Sequence, residues 1–345
     1  MADVTVMGAG IFGLSVAFAC LRRGARVTVI DPRGVGAGAS GGTVGALAPH
    51  VPENWNAKKA FQFESLLMAD GFWSAVADLS GQETGYARTG RLQPVADAAA
   101  LERARARAKQ ADSLWDGRAR WRVCPAGGFG SWVPASPTGM VVHDTLSARL
   151  DPPRACASLA GAIRALGGAI RTEGAARGAV VWATGYRGLE ALSRELGRPV
   201  GTGVKGQSLL LEHDAGAGAA QLFCAGIHIV AHDNGTVAVG STSERDFASP
   251  DATDAQLDAL HARAVSALPR LAGAPVLRRW AGVRPRAASR APLLGPWPGR
   301  QGHYIANGGF KIGFGMAPKV AEVMADLVLE GRDGIPDDFR VEASL

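Results

Sequence analysis

The sequence predicts an α/β chain of two domains: a parallel-sheet domain with helices on its faces, and an antiparallel-sheet domain inserted into it. Three observations predict this. The chain opens on a strand, a glycine turn and a helix; a central block of strands lacks the helices that parallel strands need between them; and the tail returns to strand, glycine turn and helix. With 345 residues, 47% hydrophobic and 20% charged, the chain has enough apolar material for one or two ordinary cores and is not globally disordered.

Residues 4–7 form a β-branched run, followed by Gly8-Ala9-Gly10-Ile11-Phe12-Gly13 and a helix-compatible stretch over 14–23. A second strand over 25–30 ends at Asp31, 21 residues after Gly10, followed by Pro32 and Arg33. This is the spacing of a Rossmann-like dinucleotide site. Gly8 permits the tight turn, Gly10 lets backbone approach a pyrophosphate, and Gly13 allows close helix packing, while Ile11 and Phe12 lie in the turn and the N-terminus of the helix that follows offers unpaired N–H groups to the phosphates. Asp31 suits a free ribose 2′-hydroxyl and would repel a 2′-phosphate, although Arg33 offsets part of that charge. The unit alone does not decide between NAD and FAD. Two further stretches, 36–41 and 201–206, repeat the glycine spacing, but neither has a strand before it and a helix after it.

A glycine-rich loop follows over 34–45, with Ser40, Gly41 and Thr43 placed to lie against the ligand. Helical spacing recurs over 58–79, 101–111, 151–166 (with Pro152 and Pro153 in the first turn) and 253–268. Residues 180–185 read as a buried strand ending in a tight turn, and further strands are expected at 207–212, 227–231, 236–241, 280–284 and 304–306, with a last helix running from near Phe314 through Leu329. The interval 81–138, rich in Gly, Pro and Trp, reads as a different domain. The division this predicts is a nucleotide domain of residues 1–78, 140–203 and 277–345, and a substrate domain of 79–139 and 204–276, with the site at their join.

The 46 glycines are about twice what average usage predicts, without a three-residue period, so they do local backbone work rather than build a collagen. The net charge of +6 is dispersed: no Lys/Arg run exceeds two, and Arg103, Arg105 and Arg107 sit in an alanine-rich stretch that reads as a solvated helix, which argues against nucleic acid. Cys20, Cys124, Cys156 and Cys224 are scattered without a CxxC pair, so buried free thiols are expected and no metal site. No segment approaches eighteen uninterrupted apolar residues and the chain starts directly on a strand, so a cytoplasmic protein without a membrane span is expected.

Taken together, VTVMGAGIFGLSVAFACLRRGARVTVID, GASGG (38–42), VVWATG (180–185), GTVAVGST (235–242), AGVRP (281–285) and GGFKIGFGMAP (308–318) resemble the FAD-dependent D-amino-acid oxidase family, in particular its glycine oxidase and sarcosine oxidase branch, over nearly the full length. The resemblance implies an oxidoreductase that oxidises the C–N bond of a small amino acid or N-substituted amino acid to an imine by hydride transfer to flavin. O2 or another electron acceptor would reoxidise it. It extends the cofactor contacts to Ala183, Thr184, Gly185, Gly282, Gly308, Gly309, Phe310 and Ile312. Arg284 matches the family arginine that grips substrate carboxylate, as a planar guanidinium can with two charge-assisted hydrogen bonds. Lys311 matches a substrate-side lysine of sarcosine oxidase; only six of the 37 basic residues are lysines. His228 falls where glycine oxidase has a substrate-contacting tyrosine, and His50 is a candidate for the flavin face.

Departures from the pattern carry information too. Gly282 stands approximately where sarcosine oxidase attaches its flavin through a cysteine, so FAD is expected to be non-covalent. The neutral Ala238 stands near the position of a lysine associated with oxygen activation, which leaves oxidase and dehydrogenase open. Three alternatives remain beside the amino-acid reading. ASGG followed by GAL also resembles the oxidase domain of a tRNA-modifying enzyme acting on a carboxymethylaminomethyl group; the others are a NAD-dependent dehydrogenase and a flavin-binding subunit without turnover. Oligomeric state is not readable.

Overall fold

A computed structural model describes residues 2–345. In chain order the elements are β1 (Asp3–Met7), α1 (Ile11–Arg22), β2 (Arg26–Ile30), β3 (Ala46–Leu47), α2 (Ala57–Ser80), β4 (Arg91–Pro94), α3 (Ala98–Leu114), β5 (Trp121–Pro125), β6 (Met140–Asp144), β7 (Ala148–Arg149), α4 (Pro152–Ala165) and β8 (Ala169–Arg171). There follow β9 (Ala179–Trp182), α5 (Gly185–Glu195), β10 (Gly201–Glu212), β11 (Gln221–Cys224), β12 (Ile227–Ala231), β13 (Thr236–Gly240), α6 (Ala255–Ala267), β14 (Val276–Ala287), β15 (Leu293–Pro296), β16 (His303–Asn307) and α7 (Gly313–Glu330).

Two large sheets organise the molecule. A six-stranded sheet has the order β15-β16-β9-β1-β2-β8, parallel throughout except for the β15–β16 pair at its edge. Its strands are short and apolar, as strands covered on both faces must be. Helix α1 packs between β1 and the C-terminal α7 because Gly13 has no side chain: a Cβ there would lie 2.0 Å from the Gly8 carbonyl oxygen. Gly8 takes φ +109, a backbone conformation that favours glycine.

The second sheet has eight strands in the order β14-β10-β13-β12-β11-β4-β6-β5, antiparallel except for β11 against β4. Alternation along each strand separates its faces. Leu209, Leu222, Ile229 and Val239 pack with Leu257 and Leu260 of α6 in one core. Register places Phe223, His228, Gly240, Ser208 and Trp280 in one row on the opposite face. Met140–Asp144 and Val276–Ala287, expected with the parallel-sheet domain, pair instead within this eight-stranded sheet, as does the whole of Gly201–Glu212.

Several elements differ from the sequence expectation. Helix α1 begins three residues earlier, inside the glycine motif, with Gly10 extended as its N-cap. The turn expected after VVWATG is the start of α5, whose Leu189 and Leu192 are buried one helical turn apart. Strands β10 and β14 run twelve residues each, and the repeated glycine spacing at 201–206 is part of β10. Its glycines serve packing: a Cβ on Gly203 would meet Val283 at 2.6 Å, and one on Gly206 would meet the Arg284 guanidinium at 2.1 Å.

Candidate active site

A cavity of about 450 Å³ opens where the carboxyl ends of β1 and β9 meet the His228 face of the eight-stranded sheet. This lies within the ordinary size range of a ligand site, at the position where open parallel sheets bind nucleotides. Of the sequence-predicted residues, Gly10, Ile11, Phe12, Asp31, Arg33, Ser40, Thr43, Ala183, Thr184, Gly185, Gly282, Gly309 and Phe310 line it, together with Arg284, Lys311 and His228. Gly8, Gly13, Pro32, Gly41, Gly308 and Ile312 stand behind that surface. So does His50, whose ring Nδ1 and backbone N–H both engage the Gln62 side chain. The structure therefore does not bring His50 to the cavity wall.

At one end, the Asp31 carboxylate is fixed at the tip of β2 by the Ala9 N–H (2.9 Å) and the Arg33 N–H (2.9 Å). Its remaining lone pairs point a negative, acceptor-only group at the cavity. The N-terminus of α1 opens beside it, with the Ile11 N–H donating to Ser40 Oγ (3.0 Å). At the other end, the tail returns onto the opening unit. A Cβ on Gly309 would lie 2.9 Å from the Phe12 ring and one on Gly313 3.4 Å from Ile11, so the glycines permit this approach. Helix α7 starts there without a side-chain cap, leaving its N–H groups and the positive end of its dipole directed at the cavity.

Arg284 projects from β14 across Gly206. Its Nη1 donates to Ser241 Oγ (2.7 Å) and its Nη2 to the carbonyls of Thr242 (2.7 Å) and Lys205 (3.2 Å), while Nε has no partner. Burial pushes its pKa down to about 10, opposed by the Glu244 charge, so it stays cationic at neutral pH. Below it, Lys205 forms an ion pair with Glu244 at 3.3 Å. The Phe310 ring lies 5.6 Å from both Arg284 and Arg286 and 5.7 Å from Lys311 Nζ. Phe310 holds φ +42, a strained conformation fixed by its N–H to Pro285 O at 3.0 Å. Burial first, then the Arg284 and Arg286 charges, holds the Lys311 ammonium below the usual lysine value. His228 is driven to about 3 by burial and by the charges of Arg91 and Lys311, so its imidazole is neutral, and its Nδ1 is buried without a partner.

This donor set fits an extended dinucleotide with an anionic ring edge: an acidic residue for a ribose, one helix N-terminus for a pyrophosphate, and a second for the ring. The model for the family described as FAD dependent oxidoreductase matches residues 3–327. The chain belongs to this family. It is accordingly a flavoprotein enzyme whose cofactor is FAD. A glycine oxidase of Pseudomonas aeruginosa is 32% identical over 152 residues, 43% of this chain and 42% of that protein. The glycine oxidase of Pseudomonas putida is 34% identical over 39% of this chain, again spanning only 36% of the relative's length. Among solved structures, glycine oxidase from Geobacillus kaustophilus superposes with a TM-score of 0.85 at 18% identity, covering 99% of both chains; at that identity the likeness carries the fold alone.

Sequence reasoning missed several lining residues of this flavoprotein. Trp280 spreads over Gly282, where a Cβ would lie 2.4 Å from its ring, and touches the space above Gly42. Ser241 accepts from Arg284 at the end of β13, beside Gly240. Tyr186, Arg187 and Asn307 also line the cavity. The alternation of Trp280, Gly282 and Arg284 along one strand was the available signal for the first of these. Ser241 depends on a cross-strand register that no local pattern fixes.

Among the described residues no cluster of His, Cys, Asp or Glu is arranged to hold a metal, and no helix is long and apolar enough to cross a membrane.

Proposed function

We propose that the protein oxidises the C–N bond of a small amino acid or N-substituted amino acid to an imine, with Arg284 and Lys311 holding the substrate carboxylate. The observation that carries this reading is the pair of cations flanking Phe310 at the tail end of the cavity, next to the uncapped start of α7. FAD bound in the cavity supplies the two-electron acceptor.

The chain's own residues do the rest. Arg284 is preorganised by three hydrogen bonds and keeps Nε unsatisfied, so a carboxylate gains a fixed, partly desolvated donor at little ordering cost. Lys311 adds a mobile point charge that completes the site. His228, neutral at physiological pH, contacts the substrate without competing for its carboxylate. The N-terminus of α7 favours negative charge developing at its end of the cavity. Phe310 and Trp280 exclude water from the wall between them. The six-stranded sheet with its helices then serves as the cofactor half and the eight-stranded sheet as the substrate wall. The electron acceptor is O2 or another carrier.

The test is optical. The purified protein should be yellow, and anaerobic addition of glycine, sarcosine, D-amino acids and proline derivatives should bleach the flavin band with at least one of them. A yellow protein bleached by dithionite and by none of the carboxylated amines would overturn the reading.

A further inference from the structure

A second concavity lies past Phe310, beyond Arg284 on the same face of the eight-stranded sheet. It measures about 350 Å³ and is lined by Arg245, Arg286, Arg290 and Thr202, the rest of its wall being Pro, Gly and Ala. Register brings the cations together. Arg286 pairs with Thr202 two positions along from the Arg284–Val204 pair, so both point to the Arg284 face. Glu244 bridges to Lys205 on the other face, and Arg245, the next residue, turns back toward Thr202. Arg290 comes from the turn that follows β14, its N–H on the Ala287 carbonyl at 3.1 Å.

Three guanidiniums share this pocket and no carboxylate lines it. Among the described residues, none of these side chains makes an ion pair or a hydrogen bond. Arg279, on the same strand as Arg286, is by contrast held by Asp258 at 2.6 Å. Further cations press on the group. Lys58 Nζ donates to the Arg290 carbonyl, and burial first, then the Arg290 charge, lowers its pKa. Arg286 acts on Lys311 in the same sense, after burial and Arg284. Arg290 also takes φ +60, a left-handed conformation that is strained for an arginine. Like charges gathered in a concavity repel one another, and an anion from outside the protein relieves that repulsion.

The charge selects the ligand. A monoanion would answer one guanidinium and leave the others unpaired, whereas a phosphate group carries about −1.5 to −2 charges at neutral pH and three strong acceptor oxygens. Planar guanidiniums bind such oxygens in pairs. We propose that Arg245, Arg286 and Arg290 form a phosphate-binding site for a small phosphorylated molecule, separate from the cavity that takes FAD and the amine. The pocket has the size of a small-molecule site, and the basic residues of this chain are dispersed rather than laid out as a track for nucleic acid. Phe310 stands between the two sites, its ring 5.6 Å from both Arg284 and Arg286.

The test uses the flavin-loaded protein, in which the dinucleotide cavity is filled. Inorganic phosphate, pyrophosphate and glycerol 2-phosphate are titrated by calorimetry against acetate at matched ionic strength. At least one phosphorylated probe should bind at a single site about tenfold or more tightly than acetate. Arg245→Gln with Arg290→Asn removes two of the guanidiniums, asparagine being tolerated in the left-handed conformation. Phosphate affinity should fall about tenfold or more, with flavin content and thermal unfolding as in the parent. Arg245→Gln alone should show part of that loss. Arg103→Gln with Lys109→Gln removes the same number of charges from exposed positions of α3 and should leave phosphate affinity within about twofold of the parent. Binding should also persist in Arg284→Met, which takes the guanidinium out of the substrate site.

Phosphate binding no tighter than acetate binding, or unchanged when Arg245 and Arg290 are replaced, would overturn the assignment. Binding lost in Arg284→Met but kept in the Arg245 and Arg290 variant would place the phosphate in the substrate cavity and overturn it too. So would a single-stranded RNA oligonucleotide that depends on Arg245 and Arg290 where the free phosphates do not bind. None of these measurements uses turnover, so a failure of the amino-acid reading and a failure of the phosphate site are told apart.

Discussion

Replacing Arg284 with Met removes the guanidinium while keeping most of the side-chain volume. Three consequences can be worked from the structure. The carbonyls of Lys205 and Thr242 and the Ser241 hydroxyl lose a charged donor; leaving such buried groups unsatisfied costs on the order of 1–3 kcal/mol of stability. A bound carboxylate loses its directional partner in a largely desolvated site. Truncating one side of such a pair costs about 2–5 kcal/mol, or roughly 30- to 5,000-fold in dissociation constant. Third, Lys311 loses one of the two neighbouring guanidinium charges that depress its ammonium and becomes easier to protonate. The assay is titration of the flavin-loaded variant with a non-oxidisable carboxylate, followed by the flavin band, alongside thermal unfolding and flavin content. The expected outcome is carboxylate affinity reduced within that range, with flavin retained. An unchanged dissociation constant in a folded, flavin-loaded variant would remove Arg284 from the substrate site.

Further predictions follow from the same geometry. Carboxylate affinity should fall as pH rises through the lowered Lys311 pKa, at a lower pH than an ordinary lysine would give, and Lys311→Met should abolish that alkaline limb in a pH series of dissociation constants. His228 binds its proton less readily folded (about 3) than unfolded (about 6.5), so its contribution to stability is complete above the unfolded value and is lost as pH falls toward the folded one. The limiting slope is about 1.4 kcal/mol per pH unit, so chemical denaturation at pH 4 and pH 7 should show a smaller acid penalty in His228→Phe. Gly8→Ala should strongly destabilise the protein and release flavin on mild heating, because φ +109 strains an alanine and its Cβ would lie 2.4 Å from the Ala183 carbonyl oxygen.

Much of this was legible in the sequence because it is local. Strand β1, the glycine turn, α1 and Asp31 are specified by neighbours within about thirty residues, and the structure gathers Gly10, Asp31 and Ser40 at one end of the cavity as that spacing requires. The tail motif brings Phe310 and Lys311 to the cavity wall for a similar reason: Gly309 has to pass Phe12. What was not legible is non-local. The strands β4 and β5 lie in a Gly-, Pro- and Trp-rich interval whose alternation is short and broken, with β6 just beyond it, and their membership in the eight-stranded sheet depends on pairing with residues as far away as Gln221. The glycines of 201–206 illustrate the converse, since their spacing imitates a phosphate loop while their work is to clear room for Arg284 and Tyr186. His50 fell outside the cavity because its ring is held by Gln62 of α2, a contact between a loop and a helix face that no motif records.

The most direct test of the central claim is a crystal structure of the flavin-loaded protein with a bound carboxylate inhibitor. The isoalloxazine ring should lie where residues 309–311 fold back onto the opening glycine turn, with the inhibitor carboxylate on Arg284 and Lys311. A ring placed elsewhere, or those two side chains turned away into solvent, would contradict the account.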